Sequence, residues 1–231
     1  MYKIVKNILP WLLPLIAMMS SLSVSAHGVD EVTRQFLETN QGVAIIPFMY
    51  IGAKHMLTGY DHLLFLVGVI FFLFRGRDIL LYVSLFTLGH SLTLLFGVLS
   101  HININPYIID AIIGLSVVYK GFDNLGGFQR VFHYQPNTKI AVIVFGLFHG
   151  FGLATKIQEF KLPSNGLVSN IISFNIGVEL GQFIALAIVL IILSFWRRHK
   201  SYLHFATLTN TALMSAGFML IGLQLTGYFI T

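Results

Sequence analysis

The sequence predicts an all-α integral membrane protein with six transmembrane helices behind a cleaved signal peptide. The 231 residues are 56% hydrophobic and only 10% charged, against about 25% charged in a soluble domain. Mean hydropathy is +0.81, and apolar runs close to the roughly twenty residues of a spanning helix recur along the chain. The basic residues gather at the ends of those runs instead of lining a polar face. The net charge of +5 therefore reflects membrane topology and does not point to nucleic acid.

Residues 1–26 read as the signal peptide. Lys3 and Lys6 precede an apolar run from Ile8 to about Leu22, and Val24-Ser25-Ala26 forms a small-x-small cleavage site. Pro10 and Pro14 make that run a poor permanent span. Residues 27–46 form a short external segment. Within it, Val29, Val32 and Phe36 recur at helical spacing, which predicts a short interfacial helix ending at Gly42.

Residues 47–231 form the membrane domain, with spans expected at 47–74, 78–99, 105–122, 138–157, 167–196 and 203–229. Charge or turn residues separate them: Arg75-Gly-Arg77-Asp78, Ser100 to Pro106, Lys120 to Lys139, Lys156 to Asn165, and Arg197-Arg198-His199-Lys200. A cleaved signal puts the mature N-terminus outside a bacterial-type cytoplasmic (inner) membrane. The loops then expected inside hold Arg75, Arg77, Lys120, Arg130, Lys139, Arg197, Arg198 and Lys200. The outer segments hold only Arg34, Lys156 and Lys161. Signal peptide and charge bias give the same orientation.

Asp61, His62, His90, His149 and Glu179 interrupt these apolar segments near their middles. An ionisable group at that depth costs about 2.5–3.5 kcal/mol on insertion scales, so it is rare unless paired or functional. Imidazole nitrogen and carboxylate oxygen together suit a divalent metal ion such as nickel, cobalt or zinc. The sequence has no cysteine, which excludes disulfides, thiolate metal sites and thiol nucleophiles. Phosphate-loop, H-E-x-x-H and G-x-S-x-G motifs are also absent.

The first span carries His55-Met-Leu-Thr-Gly-Tyr-Asp61-His62. Residues seven apart share a helix face but stand roughly 10.5 Å apart along the axis. One ion reaches both His55 and His62 only if the helix breaks, and Gly59 lies between them. Asp61 suits the role of a carboxylate that orients a ligating histidine. Small residues flank His90 (Gly89, Ser91) and His149 (Gly146, Gly150, Gly152), so neighbouring helices can approach closely there. In the fifth span Asn175, Glu179 and Gln182 form a polar stripe, with Gly177 and Gly181 as a packing face. Glu179 is a candidate ligand or proton acceptor. Asp110 lies toward the outer surface, on a route by which an ion could enter. Asp123 reads as a solvated helix end, and His101, His133, His199 and His204 as loop or helix-end residues.

The string His55-x-x-Thr-Gly-x-Asp61-His62 resembles the H-P-x-x-G-x-D-H signature of the HupE/UreJ family of hydrogenase and urease accessory membrane proteins, with Met56 at the proline position. Phe86-Thr-Leu-Gly-His90-Ser91-Leu-Thr93, Phe148-His149-Gly150 and Asn175-x-Gly177-Val-Glu179-x-Gly181-Gln182 also resemble that family's blocks, particularly those of its second subgroup. The resemblance implies six or more membrane helices, a cleaved leader, and nickel or cobalt uptake. It makes His55, Asp61, His62, His90, His149 and Glu179 the expected metal residues, and a metalloenzyme's maturation machinery the expected partner. The leading expectation is a divalent-metal permease. The alternatives are an intramembrane zinc-dependent hydrolase and a non-transporting accessory or scaffold protein.

Overall fold

A computed structural model of the chain describes residues 31–40, 42–159 and 165–230. The expected signal peptide, residues 1–26, lies outside them. The chain divides into two units, Met1–Glu31 and Val32–Thr231; only Glu31 of the first is described.

The described residues are helical, with no strand among them. The short helix expected before the membrane domain is α1, Glu31–Thr39. Then follow α2 (Ile45–Thr58), α3 (Tyr60–Ile70), α4 (Gly76–Leu99), α5 (Pro106–Asn124), a π-helical turn (Phe128–Phe132), α6 (Thr138–Gln158), α7 (Leu167–Arg197) and α8 (Ser201–Ile230). Local chemistry sets several of the boundaries. Asn105 accepts hydrogen bonds from the Tyr107 and Ile108 amides and is followed by Pro106, so α5 starts with a side-chain cap and a preset φ. Asn137 caps α6 in the same way through the Lys139 amide, 3.0 Å away.

Among the described residues four helices, α4, α6, α7 and α8, are long and apolar enough to cross a membrane. The two other expected spans depart from that standard for identifiable reasons. The first is split at Gly59 into α2 and α3, of 14 and 11 residues. The third, α5, carries Asp110, Lys120 and Asp123. These charges are paired: Lys156 donates to both Asp110 oxygens at 3.0 and 2.8 Å, and Lys120 donates to Asp123. Asp123 also accepts from Gln135 at 2.6 Å. With its side chain 7% exposed, Asp123 is a buried acceptor and not the solvated helix end the sequence suggested.

Three helix pairs organise the bundle, and glycines set their spacing. A Cβ on Gly52 would strike the Phe174 carbonyl, one on Gly177 the Met49 carbonyl, and one on Gly181 would lie 2.7 Å from the Ala53 carbonyl; Met49 beside Gly177 and Ala53 beside Gly181 make α2 and α7 parallel and in backbone contact. A Cβ on Gly146 would lie 2.5 Å from the Phe86 carbonyl, and one on Gly150 would strike the His90 carbonyl, so α4 and α6 are also parallel. α5 and α8 run antiparallel, with Gly114 against Ile221 and Gly121 against Met214. Small residues are what permit such approaches between apolar helices. The outward faces keep large apolar side chains exposed, including Leu88, Leu92, Ile188, Ile192 and Phe195, as a lipid-facing surface does.

The C-terminal end of α3 is held by the junction of α7 and α8. Arg197 donates to the Ile70 and Phe71 carbonyls, and the Tyr202 hydroxyl also donates to Phe71. These donors satisfy carbonyls that a helix end leaves unpaired. The Phe71 and Tyr202 rings stack with centres 5.1 Å apart.

Because α2 and α7 touch through backbone, Gly177→Leu is expected to destabilise the folded protein by roughly 3 kcal/mol, the upper range for overpacking. Ile176→Leu, at an exposed neighbouring position, should change little. Thermal unfolding of the two purified variants in detergent checks this.

Candidate metal centre

The site is built where the first apolar segment breaks. Gly59 adopts φ −72° and ψ 94°, an extended conformation that ends α2 and starts α3. The break lets the chain bring His55 back beside His62, with ring centres 5.3 Å apart. Space here is tight: a Cβ would sit 3.0 Å from His62 Nδ1, 3.1 Å from the His55 carbonyl and 3.2 Å from Asp61 Oδ1.

The close pairing of α4 with α6 delivers the other two imidazoles. Thr93 donates to the Leu147 carbonyl at 2.7 Å, which fixes the relative height of these helices next to His90 and His149. The His62 ring centre lies 6.0 Å from that of His90 and 4.9 Å from that of His149. Three imidazoles, from α2, α4 and α6, thus gather around that of His62 on α3. Two imidazoles on one tetrahedral ion, with metal–nitrogen bonds of about 2 Å, have ring centres roughly 5 Å apart. The observed spacings lie close to that value.

Hydrogen bonds set the tautomers of two rings. His62 donates from Nδ1 to Asp61 Oδ1 at 2.9 Å, which leaves Nε2 as its lone-pair nitrogen. His149 donates from Nδ1 to the Phe145 carbonyl at 2.7 Å, with the same consequence. Carboxylates and carbonyls behind histidines are the usual outer partners of metal-bound imidazole. His90 is 1% exposed, and both its ring nitrogens are buried without a hydrogen bond. His62 Nε2 is in the same condition. A buried polar atom left unsatisfied costs about 1–3 kcal/mol, so these nitrogens sit where a further partner would stabilise them. Phe65 and Phe86 pack against His149, with ring centres 5.5 and 4.9 Å away, and place apolar surface beside the cluster.

Among the described residues no three His, Asp or Glu side chains already grip a common point. The His62 ring stands edge-on to its neighbours, at interplanar angles of 80°, 70° and 74°. The structure therefore brings together the rings of His55, His62, His90 and His149, with Asp61 behind them, but not in a closed ligand cage.

Glu179 lines a different cavity from His62. It faces the seam between α4 and α7, where Asn175 Nδ2 reaches its Oε1 at 3.4 Å. Thr87, Ser91 and Gln182 line the same groove. Gln182 was legible in the sequence as part of the polar stripe; the facing hydroxyls of Thr87 and Ser91 were not, because nothing in one chain fixes which face of α4 meets α7. The Asp110–Lys156 ion pair was likewise missed. Its sequence signal is the complementary charge of two residues near the expected outer ends of different spans.

Comparison with protein families gives one result that bears on these residues. The family model described as HupE / UreJ protein matches residues 31–231, which includes every residue of the cluster. No curated protein and no solved structure matches the chain.

The Asp61–His62 contact yields a stability prediction. Asp61→Leu removes the acceptor and leaves His62 Nδ1–H buried without it, a loss of about 1–3 kcal/mol. Asp61→Asn keeps an acceptor oxygen and should lose less. Chemical unfolding of the two variants beside wild type measures the difference; equal losses would show that the hydrogen bond does not hold the ring.

Proposed function

Because this chain belongs to the HupE/UreJ family, we propose that it is a membrane permease for a divalent transition-metal ion, nickel or cobalt, held in transit by His55, His62, His90 and His149. The family is associated with nickel or cobalt uptake or with accessory roles. The observation that carries the reading is the gathering of three imidazoles around the buried His62 ring, with unsatisfied nitrogens on His62 and His90.

The mechanism follows from how those rings are held. Asp61 and the Phe145 carbonyl keep His62 and His149 in the tautomer that offers Nε2. No hydrogen bond resists rotation of the His90 ring, so it turns to complete the ligand set as the ion arrives. Ligating imidazoles must be neutral. Asp61 lends one negative charge beside the cation. The ion must also leave, so binding has to remain moderate; a cluster that is near the ligand spacing but not closed meets that need. Nitrogen donors accept nickel, cobalt, zinc and copper alike, so the choice of nickel or cobalt rests on the family association.

The finer topology belongs to the same proposal. Six passages, with α2 and α3 together forming the first, make spans one and five parallel, two and four parallel, and three and six antiparallel. The glycine contacts have those directions. A cleaved signal peptide, a cytoplasmic (inner) membrane location and an external mature N-terminus accord with the charge bias of the loops. The ion would pass to a metalloenzyme's maturation machinery inside.

Cells producing the protein should accumulate radioactive nickel or cobalt at least about tenfold faster than cells producing His62→Ala at equal membrane abundance, and Asp61→Asn should reduce metal affinity about 10–100-fold. Unchanged uptake together with tightly retained zinc would favour the hydrolase and contradict the permease. No bound metal, with His→Ala variants failing only through instability, would favour the scaffold.

A further inference from the structure

We propose that the groove between α4 and α7 is a second cation site, separate from the imidazole cluster, that takes a monovalent hard cation of the sodium type. Its coupling role rests on the permease reading; its binding does not.

The donor chemistry differs in kind from that of the histidine cluster. The groove offers the Glu179 carboxylate, the hydroxyls of Ser91 and Thr87, and the amide oxygen of Gln182. No basic residue lines it, and it has room for about 290 Å³. Oxygen-only sets select hard cations, whereas imidazole suits the later transition metals. A single carboxylate balances one positive charge. Calcium and magnesium are bound with more carboxylates, waters or phosphates.

An independent observation points to a missing ligand. Asn175 is 8% exposed, and its amide lies between two groove groups: Nδ2 is 3.0 Å from Ser91 Oγ and 3.4 Å from Glu179 Oε1. Its Oδ1 is buried and accepts no hydrogen bond. The amide nitrogen is thus held against two groove groups, beside a carboxylate whose hydrogen bond to it is long, while the amide oxygen goes unused. A small cation answers the carboxylate. A carboxylate inside an apolar segment needs such a counter-charge, and the described groove residues supply none.

The position of the groove connects this site to the first one. Ser91 follows His90 directly in α4. Gln182 and Val83 line both the groove and a small cavity that reaches His62. Gln182 Oε1 already accepts from Thr87 at 3.0 Å, so a cation drawing on that oxygen moves the wall shared with the His62 cavity. Occupancy of the two sites is therefore linked, and linkage of binding is reciprocal.

The experiment uses the full-length protein purified in detergent in choline chloride, with sodium chloride exchanged in at constant ionic strength and fixed pH. Sodium should raise the unfolding temperature saturably and change nickel affinity severalfold; potassium should do so less. Glu179→Gln should lose the sodium effect, Glu179→Asp should retain part of it, and both should still bind nickel. Four outcomes overturn the proposal: no sodium effect on folded wild type, equal effects of sodium and choline, a full sodium effect in Glu179→Gln, or a response that follows pH and ignores sodium. A sodium effect without nickel binding would sink the permease reading and leave this site standing.

Discussion

The extended backbone at Gly59 is the constraint on which the remaining architecture depends. In an uninterrupted helix His55 and His62 would share a face but remain two turns apart. The break turns that separation into a ring contact of 5.3 Å. It also frees the first amides of α3, beside which Asp61 and His62 sit. The same break divides a span into two short helices, so the pieces need outside support. α7 provides it for α2 through the contacts at Gly52 and Gly177, and Arg197 with Tyr202 provides it for α3. Non-helical backbone at membrane depth is tolerated where protein surrounds it, and Gly59 is buried.

A second layer of order comes from helices that touch rather than merely neighbour one another. The α4–α6 contact at Gly146 and Gly150 places two histidines on either side of a backbone-to-backbone approach. Larger residues there would move the imidazoles apart by the width of a side chain. The charged pairs Asp110–Lys156 and Lys120–Asp123 let α5 carry charge through the bundle with each of these groups partnered. The imidazole centre itself is rich in nitrogen and packs against the apolar rings of Phe65 and Phe86.

Much of this was legible in the residues. Hydropathy and charge gave an all-helical membrane protein, and α4, α6, α7 and α8 fall close to where the apolar runs predict them. The break at Gly59 could be anticipated because only a break makes His55 and His62 neighbours. The gathering of His62, His90 and His149 followed from matched depth and flanking small residues. Glu179 illustrates the limit. Its depth matches that of the histidines, but depth does not fix rotation about a helix axis, and the rotation of α7 turns it toward Thr87 and Ser91. Asp123 illustrates another: a charged residue at a helix end looks solvated until Lys120 and Gln135 are seen to enclose it. Charge spacing in one chain does not reveal partners contributed by distant segments.

The central claim is that imidazoles from separate helices share one divalent ion. X-ray absorption at the nickel edge, on the purified full-length protein loaded with nickel, tests it most directly. The account predicts the multiple-scattering signature of several histidine rings around each bound nickel. A nickel shell of oxygen donors without imidazole scattering, or a folded protein that takes up no nickel, would contradict it.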